Sequence, residues 1–170
     1  MRSGGYYSAG VYENRRVLPR AWLTYGVEIQ PDAGERIKRL YDPTFYIGGV
    51  ALLSEPLPAS SVLPGSQVSA SDSATITRYE PEHVEVKTVS GSASLLVLSD
   101  LAYAGWEAEV DGRAAPILTA DHALRAVFLP AGEHIVRFAY RPLSFTLGAI
   151  ISLLSLVAIA LLGWPRRNRV

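Results

Sequence analysis

LSFTLGAIISLLSLVAIALLGW, residues 143–164, contains no charged residue, and Arg166, Arg167 and Arg169 follow it closely. About 20 apolar residues at roughly 1.5 Å rise each are enough to cross the roughly 30 Å hydrocarbon layer of a bilayer. A dozen Leu, Ile, Val and Phe residues stand in this stretch. At roughly −0.3 to −0.6 kcal/mol apiece they favour insertion by about 4 to 7 kcal/mol, which the interspersed Ser, Thr and Gly reduce without reversing. Pro142 precedes the run, where a helix tolerates proline, and Phe145 and Trp164 mark its two ends as interfacial aromatics do. A buried helix of a soluble protein is the competing reading, but such helices seldom run this long without a charge. The spacing therefore predicts one transmembrane helix over 142–165 and a basic cytoplasmic tail over 166–170.

The composition divides at the same boundary. Basic and acidic residues number 16 each over 170 residues. Three of the basic ones lie beyond the helix, so the preceding 141 residues carry thirteen basic groups against sixteen acidic ones. A mildly acidic domain is a poor nucleic-acid partner. Its length suffices for one domain with its own core. The absence of Cys rules out a disulfide and fixes no compartment.

The terminal arginines predict a cytoplasmic C-terminus and so an extracytoplasmic domain over 1–141. MRSGGYYSAG, Met1–Gly10, has one Arg and no apolar run, and is not expected to act as a signal peptide. Two resolutions follow. The chain is the C-terminal part of a larger polytopic protein whose earlier helices deliver the domain outside, or it is tail-anchored with the domain in the cytoplasm. Arg141, alone on the domain side, favours the first.

The body reads as mainly β. Val11–Asn14 begins a pattern, and Ala21–Ile29 (AWLTYGVEI) predicts a strand. Asp32 with Glu35 resembles a capping box for a short helix whose Ile37, Leu40 and Tyr41 share a face, and Asp42-Pro43 ends it. Gly49–Leu53 reads as a short buried strand. Residues 54–73, rich in Ser and Pro, carry no periodicity and read as a surface loop or a linker. Strands are expected at Ala74–Tyr79 and Val84–Val89 around the Glu80–His83 turn, and at Leu95–Leu98, whose unbroken apolar run suits a central strand. Trp106, Ala108 and Val110 alternate with Glu107 and Glu109 ahead of Asp111-Gly112, a strong hairpin signal. Ile117-Leu118, Ala123–Leu129 and Ile135–Tyr140 complete the set, with Val136, Phe138 and Tyr140 on a core face. Short strands at this spacing predict an antiparallel β-sandwich with one short helix. Only Arg141-Pro142 separates its last strand from the apolar helix, so the sheet must lie close to the bilayer.

Candidate chemistry is sparse. His83, His122 and His134 have no metal-ligand spacing, and no nucleophile elbow, P-loop or dinucleotide fingerprint occurs. No cofactor or metal is expected. Glu107, Glu109 and Asp111 alternate as paired carboxylates or calcium ligands would, and equally as the wet face of an amphipathic strand would. Trp106 near Tyr103 can stack on a sugar ring, although the core-facing parity of Trp106 suits packing better. Arg125 stands among apolar strand residues and calls for a carboxylate partner such as Asp100 or Asp111. In the apolar helix Gly148, Ser152 and Ser155 form a small-residue stripe, which suits close packing against other helices or is incidental in a lone anchor.

Three segments resemble the C-terminal region of bacterial YfhO-type membrane proteins: VYENRRVLPRAWL (Val11–Leu23), ITRYEPEHVEV (Ile76–Val86) and LLVLSDLAYAGWEAEVDGRAAPILTADHALRAVFLPAGEHIVRFAYRPLSFTLGAIISL (Leu95–Leu153). The chain departs from that pattern at Ala104, where the family often has Pro, and at Asp121-His122, which replace an Asn-aromatic pair. The resemblance implies a polytopic protein similar to glycosyltransferases that use lipid-phosphate-linked sugars, with catalytic carboxylates in early loops outside these residues. It further implies strands ahead of the first segment, which makes the chain a C-terminal fragment or remnant. The expectation is then a non-catalytic, membrane-anchored outer module, whose partners are the lipid bilayer, other transmembrane helices of a glycosyltransferase, and a cell-envelope glycan. A tail-anchored interaction domain unrelated to glycans is the alternative.

Overall fold

The computed structural model describes residues 14, 17–58, 61, 63, 65 and 69–163. The start of the first motif (Val11, Tyr12 and Glu13), Trp164 and the tail arginines lie outside the described residues. In chain order the elements are β1 (Ala21–Thr24), β2 (Gly26–Ile29), α1 (Ala33–Leu40), β3 (Val50–Leu53), β4 (Ser73–Glu80), β5 (His83–Ser90), β6 (Ser94–Leu101), β7 (Trp106–Val110), β8 (Arg113–Ala115), β9 (Leu118–Ala120), β10 (Leu124–Leu129), β11 (Gly132–Tyr140) and α2 (Leu143–Gly163).

The strands form two sheets, one ordered β1-β6-β10-β9-β3-β2 and the other β4-β5-β11-β7-β8. The core lies between them. Leu96, Leu98, Val127 and Leu129 of the first sheet face Val84, Val86, Val136 and Phe138 of the second, all essentially inaccessible to water. Each such side chain contributes about 1.5 to 3 kcal/mol by burial. The other face of the first sheet is also covered. Trp22, Leu53, Leu95 and Val97 pack there beneath Leu18, Leu57, Leu63 and Phe128. Strand β6 is thus buried on both sides, which accounts for the unbroken Leu95–Leu98 run. The second sheet keeps one wet face, so β5 and β7 alternate.

The expected mainly β architecture with one short helix holds, with local differences. Ala21–Ile29 is two strands, not one. The chain breaks at Tyr25, so that β1 and β2 lie on opposite edges of the same sheet. Gly26 permits the break, because a Cβ there would stand 3.1 Å from Gly49 O. One strand pair is not antiparallel: β2 runs parallel to β3, joined through α1. Asp32 does cap α1, accepting from Glu35 N at 2.8 Å. The reciprocal half of the box is missing, since the Glu35 carboxylate pairs with Lys38 instead. The expected apolar face of α1 is not buried, as Ile37 and Tyr41 are exposed. Arg36 is the buried residue, its Nη1 donating to Gln30 O and Pro31 O at 2.6 Å each. The Ser/Pro-rich connection has no regular element among its described residues before β4, yet it is not a detached linker, because Leu57 and Leu63 cover the sheet.

Asp111 and Gly112 both take positive φ, +52° and +77°, and close the β7–β8 hairpin as expected. Strand β11 ends at Tyr140 and α2 begins at Leu143. Over Leu143–Leu161 this helix has mean hydropathy 2.3 and none of that window is buried, so it is long and apolar enough to cross a membrane.

Candidate functional site

Strand register defines which end of the sandwich lies nearest α2. Tyr140, at the end of β11, pairs with Trp106 at the start of β7, and Ala139 pairs with His83 at the start of β5. In the other sheet, Leu101 at the end of β6 pairs with Leu124 at the start of β10. The β4–β5 turn, the β6–β7 loop and the start of β10 are therefore all at the helix-proximal end.

Arg125 occupies the last inward position of β10 at this end, in line with core residues Val127 and Leu129. It is only 2 % exposed. Its guanidinium carbon sits 3.7 Å from the Trp106 ring centroid and 5.4 Å from that of Phe138. Nη2 donates to Asp100 Oδ2 at 2.9 Å. The Asp100 carboxylate is shared: Arg20 Nη2 reaches Oδ1 at 2.5 Å, and Tyr79 Oη donates to Oδ1 at 3.1 Å. Arg20 in turn lies 4.6 Å over the Tyr79 ring and donates to its hydroxyl. Burial pulls the Arg125 pKa down and Asp100 opposes it. A guanidinium remains charged under such a pull.

Asp100 was one of the two partners the sequence suggested for Arg125; Asp111 is not the other. Asp111 sits in the second sheet, where its Oδ2 pairs with His134 Nδ1 at 2.7 Å and its Oδ1 accepts from Ile135 N at 2.9 Å. Those two hydrogen bonds hold its pKa below the usual carboxylate range. Glu107 pairs with Arg141 at 3.3 Å rather than joining a carboxylate site. Among the described residues no group of three His, Cys, Asp or Glu side chains could hold a metal ion.

Three aromatic rings complete the end of the sandwich. Tyr103 meets Trp106 edge-on at 6.3 Å and Tyr140 at 5.5 Å, and Trp106 lies 5.3 Å from Tyr140. Such pairs are worth roughly 0.5 to 1.5 kcal/mol beyond their burial. One Trp106 face is occupied by Arg125, so the ring open to a ligand is Tyr103. A cleft of about 340 Å³ runs between the sheets here, lined by Tyr79, Pro81, Val84, Asp100, Leu101, Tyr103, Trp106 and Arg125. A second, of about 480 Å³, shares Trp106 and continues past Gly105 and Tyr140 to Pro142 and Ser144 at the start of α2. Arg125 Nε and Nη1 and Trp106 Nε1 are buried without a hydrogen-bond partner among the described residues. Unpaired buried donors are costly, about 1 to 3 kcal/mol each.

Gly105 locks the β6–β7 loop to the helix start. Its φ is +100°, its carbonyl accepts from Arg141 N at 2.6 Å, and a Cβ would stand 2.8 Å from Tyr140 Cε2 and 3.2 Å from Pro142 Cα. The structure thus brings together Trp106, Tyr103 and Arg125, and adds Arg20 and Tyr79, which the sequence did not single out. Their signal was weak, since Arg20 precedes a strand and Tyr79 sits on an exposed strand of mixed pattern. Gly148, Ser152 and Ser155 lie apart from this cluster on α2, where Ser155 Oγ donates to Ile151 O at 2.8 Å within the helix.

Residues 66–152, about half of the chain, match the family described as bacterial membrane protein YfhO. The match includes every member of the cluster except Arg20. No curated protein and no solved structure matches the chain.

Proposed function

Because this chain belongs to the YfhO family of bacterial membrane proteins, we propose that it acts as a non-catalytic outer module, anchored by α2 and serving a cell-envelope glycosyltransferase by holding an acceptor glycan at the bilayer surface. In this reading the β-domain is extracytoplasmic and the C-terminus cytoplasmic. The observation that carries it is the cleft at the helix-proximal end. It combines a half-exposed aromatic ring, Tyr103, with the charged pair Arg125 and Asp100 in its lining, features that suit a polyhydroxylated ligand. Among the described residues Asp100, Asp111 and Glu107 are each engaged with a basic side chain rather than set out as an acid–base pair for glycosyl transfer.

Full chain reconstituted in nanodiscs and probed with an array of bacterial envelope oligosaccharides should bind a subset of them, and Tyr103→Ala should abolish that binding. A blank array would overturn the acceptor role. The same preparation mixed with a polyprenyl-phosphate sugar donor should transfer nothing, and turnover would sink the non-catalytic assignment. Sidedness is read from Ser71→Cys, an exposed position in a chain that has no cysteine. An impermeant thiol reagent should label it in intact cells; protection would place the domain in the cytoplasm.

A further inference from the structure

We propose that the β6–β7 loop, with Leu101 and Tyr103 at its head, is a second membrane contact, seated in the lipid interfacial layer beside α2. The proposal rests on α2 spanning a bilayer and is independent of which side the domain occupies and of any glycan.

The argument begins with exposure. Leu101 is 62 % exposed and Tyr103 53 %, and a few apolar residues elsewhere in the domain, Tyr41 and Tyr46 among them, are more exposed still. Single exposed apolar residues are ordinary. These two differ in lying at the helix-proximal end, where Tyr103 touches Tyr140 just ahead of α2, whose first residue, Leu143, is 79 % exposed. The loop is not free to drift from that position. Gly105 O holds Arg141 N, and the Tyr103 ring meets Tyr140 edge-on. Tyr140 is three residues ahead of Leu143, so its Cα lies at most about 11 Å along the chain from the start of the span. The polar layer of a bilayer is roughly 5 to 8 Å deep on each side. A ring set against Tyr140 at the helix-proximal end therefore falls within, or a few ångström above, the headgroup layer. The chemistry matches that depth: Tyr offers an apolar body and a polar tip, and Arg141, two-thirds exposed at its side chain, can reach lipid phosphate. The occupant of this surface is accordingly the headgroup–acyl boundary of the bilayer that holds α2.

Depth can be measured on the full chain in phosphatidylcholine–phosphatidylglycerol vesicles, since any introduced cysteine is unique. Nitroxide labels are placed singly at Leu101→Cys, Tyr103→Cys, Ser71→Cys and Leu147→Cys, and relaxation by oxygen is compared with relaxation by a water-soluble nickel chelate. The oxygen-to-nickel ratio at 101 and 103 should exceed that at 71 several-fold and fall short of that at 147. A ratio at both 101 and 103 equal to that at 71, with 147 still lipid-exposed, overturns the second contact and leaves the span intact. A water-exposed label at 147 overturns the span itself, and this inference with it.

Discussion

At the end of the sandwich remote from α2, Tyr25 is buried and its hydroxyl donates to Asp72 at 2.6 Å, while Asp72 also accepts from Ser69 N and Gly91 N. These contacts hold Asp72 in its ionised form, its pKa lowered chiefly by Tyr25. At the near end Arg125 is equally buried, yet two of its nitrogens have no partner, and Nε1 of Trp106, the ring against its guanidinium, shares that condition. Trp22, Arg36, Ser94 and Asp121 also carry a buried unpaired atom among the described residues, but none of them lines the cleft. The Asp72 carboxylate is satisfied within the fold, and the Arg125 guanidinium beside the cleft is only partly so. On the function proposed above, this is the end that a ligand would occupy.

The largest effect that would test this contrast comes from Asp100→Ala. Removing the carboxylate leaves the buried Arg125 cation uncompensated, at a cost of about 3 to 5 kcal/mol. The far-end counterpart, Tyr25→Phe, deletes one hydrogen bond from a carboxylate that keeps two others, at a cost of about 1 kcal/mol. Thermal unfolding of the full chain in mild detergent, followed by circular dichroism, reads both; equal losses would erase the contrast.

Two glycines with positive φ sharpen it further. Gly112→Ala enters open space and carries only the backbone penalty, about 1 kcal/mol. Gly105→Ala adds collisions with Tyr140 and Pro142, for about 3 kcal/mol in all. The difference between their melting temperatures measures how tightly the β6–β7 loop is pressed to the helix start.

A third test is a pH dependence. Burial pushes the Asp121 carboxyl up to about 6, despite its hydrogen bond from Leu52 N. The folded state then binds this proton more readily than the unfolded chain, whose carboxyl titrates near the ordinary value. Stability is greatest below that ordinary value and is lost as pH rises towards and through 6, by about 3 kcal/mol for this group. Asp121→Asn keeps the acceptor for Leu52 N, tolerates the φ of +47°, and should flatten the loss. Urea titrations at pH 4.5 and 8 check it: the variant gains at pH 8 and not at pH 4.5, and an unchanged difference would show that Asp121 is not the group responsible.

Much of this fold was legible because local chemistry agreed with the final structure. The alternation of β5 and β7, the Asp111-Gly112 turn and the uncharged run of α2 each carry their cause within a few residues. What stayed hidden depends on partners distant in sequence. Nothing near Tyr25 announces a break, because the reason lies in Asp72 and in the approach of Gly49 to Gly26. The parallel β2–β3 pair is set by α1 returning the chain, which no periodicity records. The face of α1 was misjudged because a guanidinium, held by two carbonyls through Nη1, is buried where Ile37 or Tyr41 was expected. At the site, a charged residue amid Ala126, Val127 and Phe128 was signal enough for Arg125. Asp100 could be proposed as its counter-ion but not chosen over Asp111, since only strand order decides between them.

Arg141 and Pro142 alone separate β11 from α2, Pro142 has its φ fixed by its ring, and Arg141 N is tied to Gly105. A joint so short has no slack. A rotation of the sandwich about this joint would therefore carry the first turn of the helix with it.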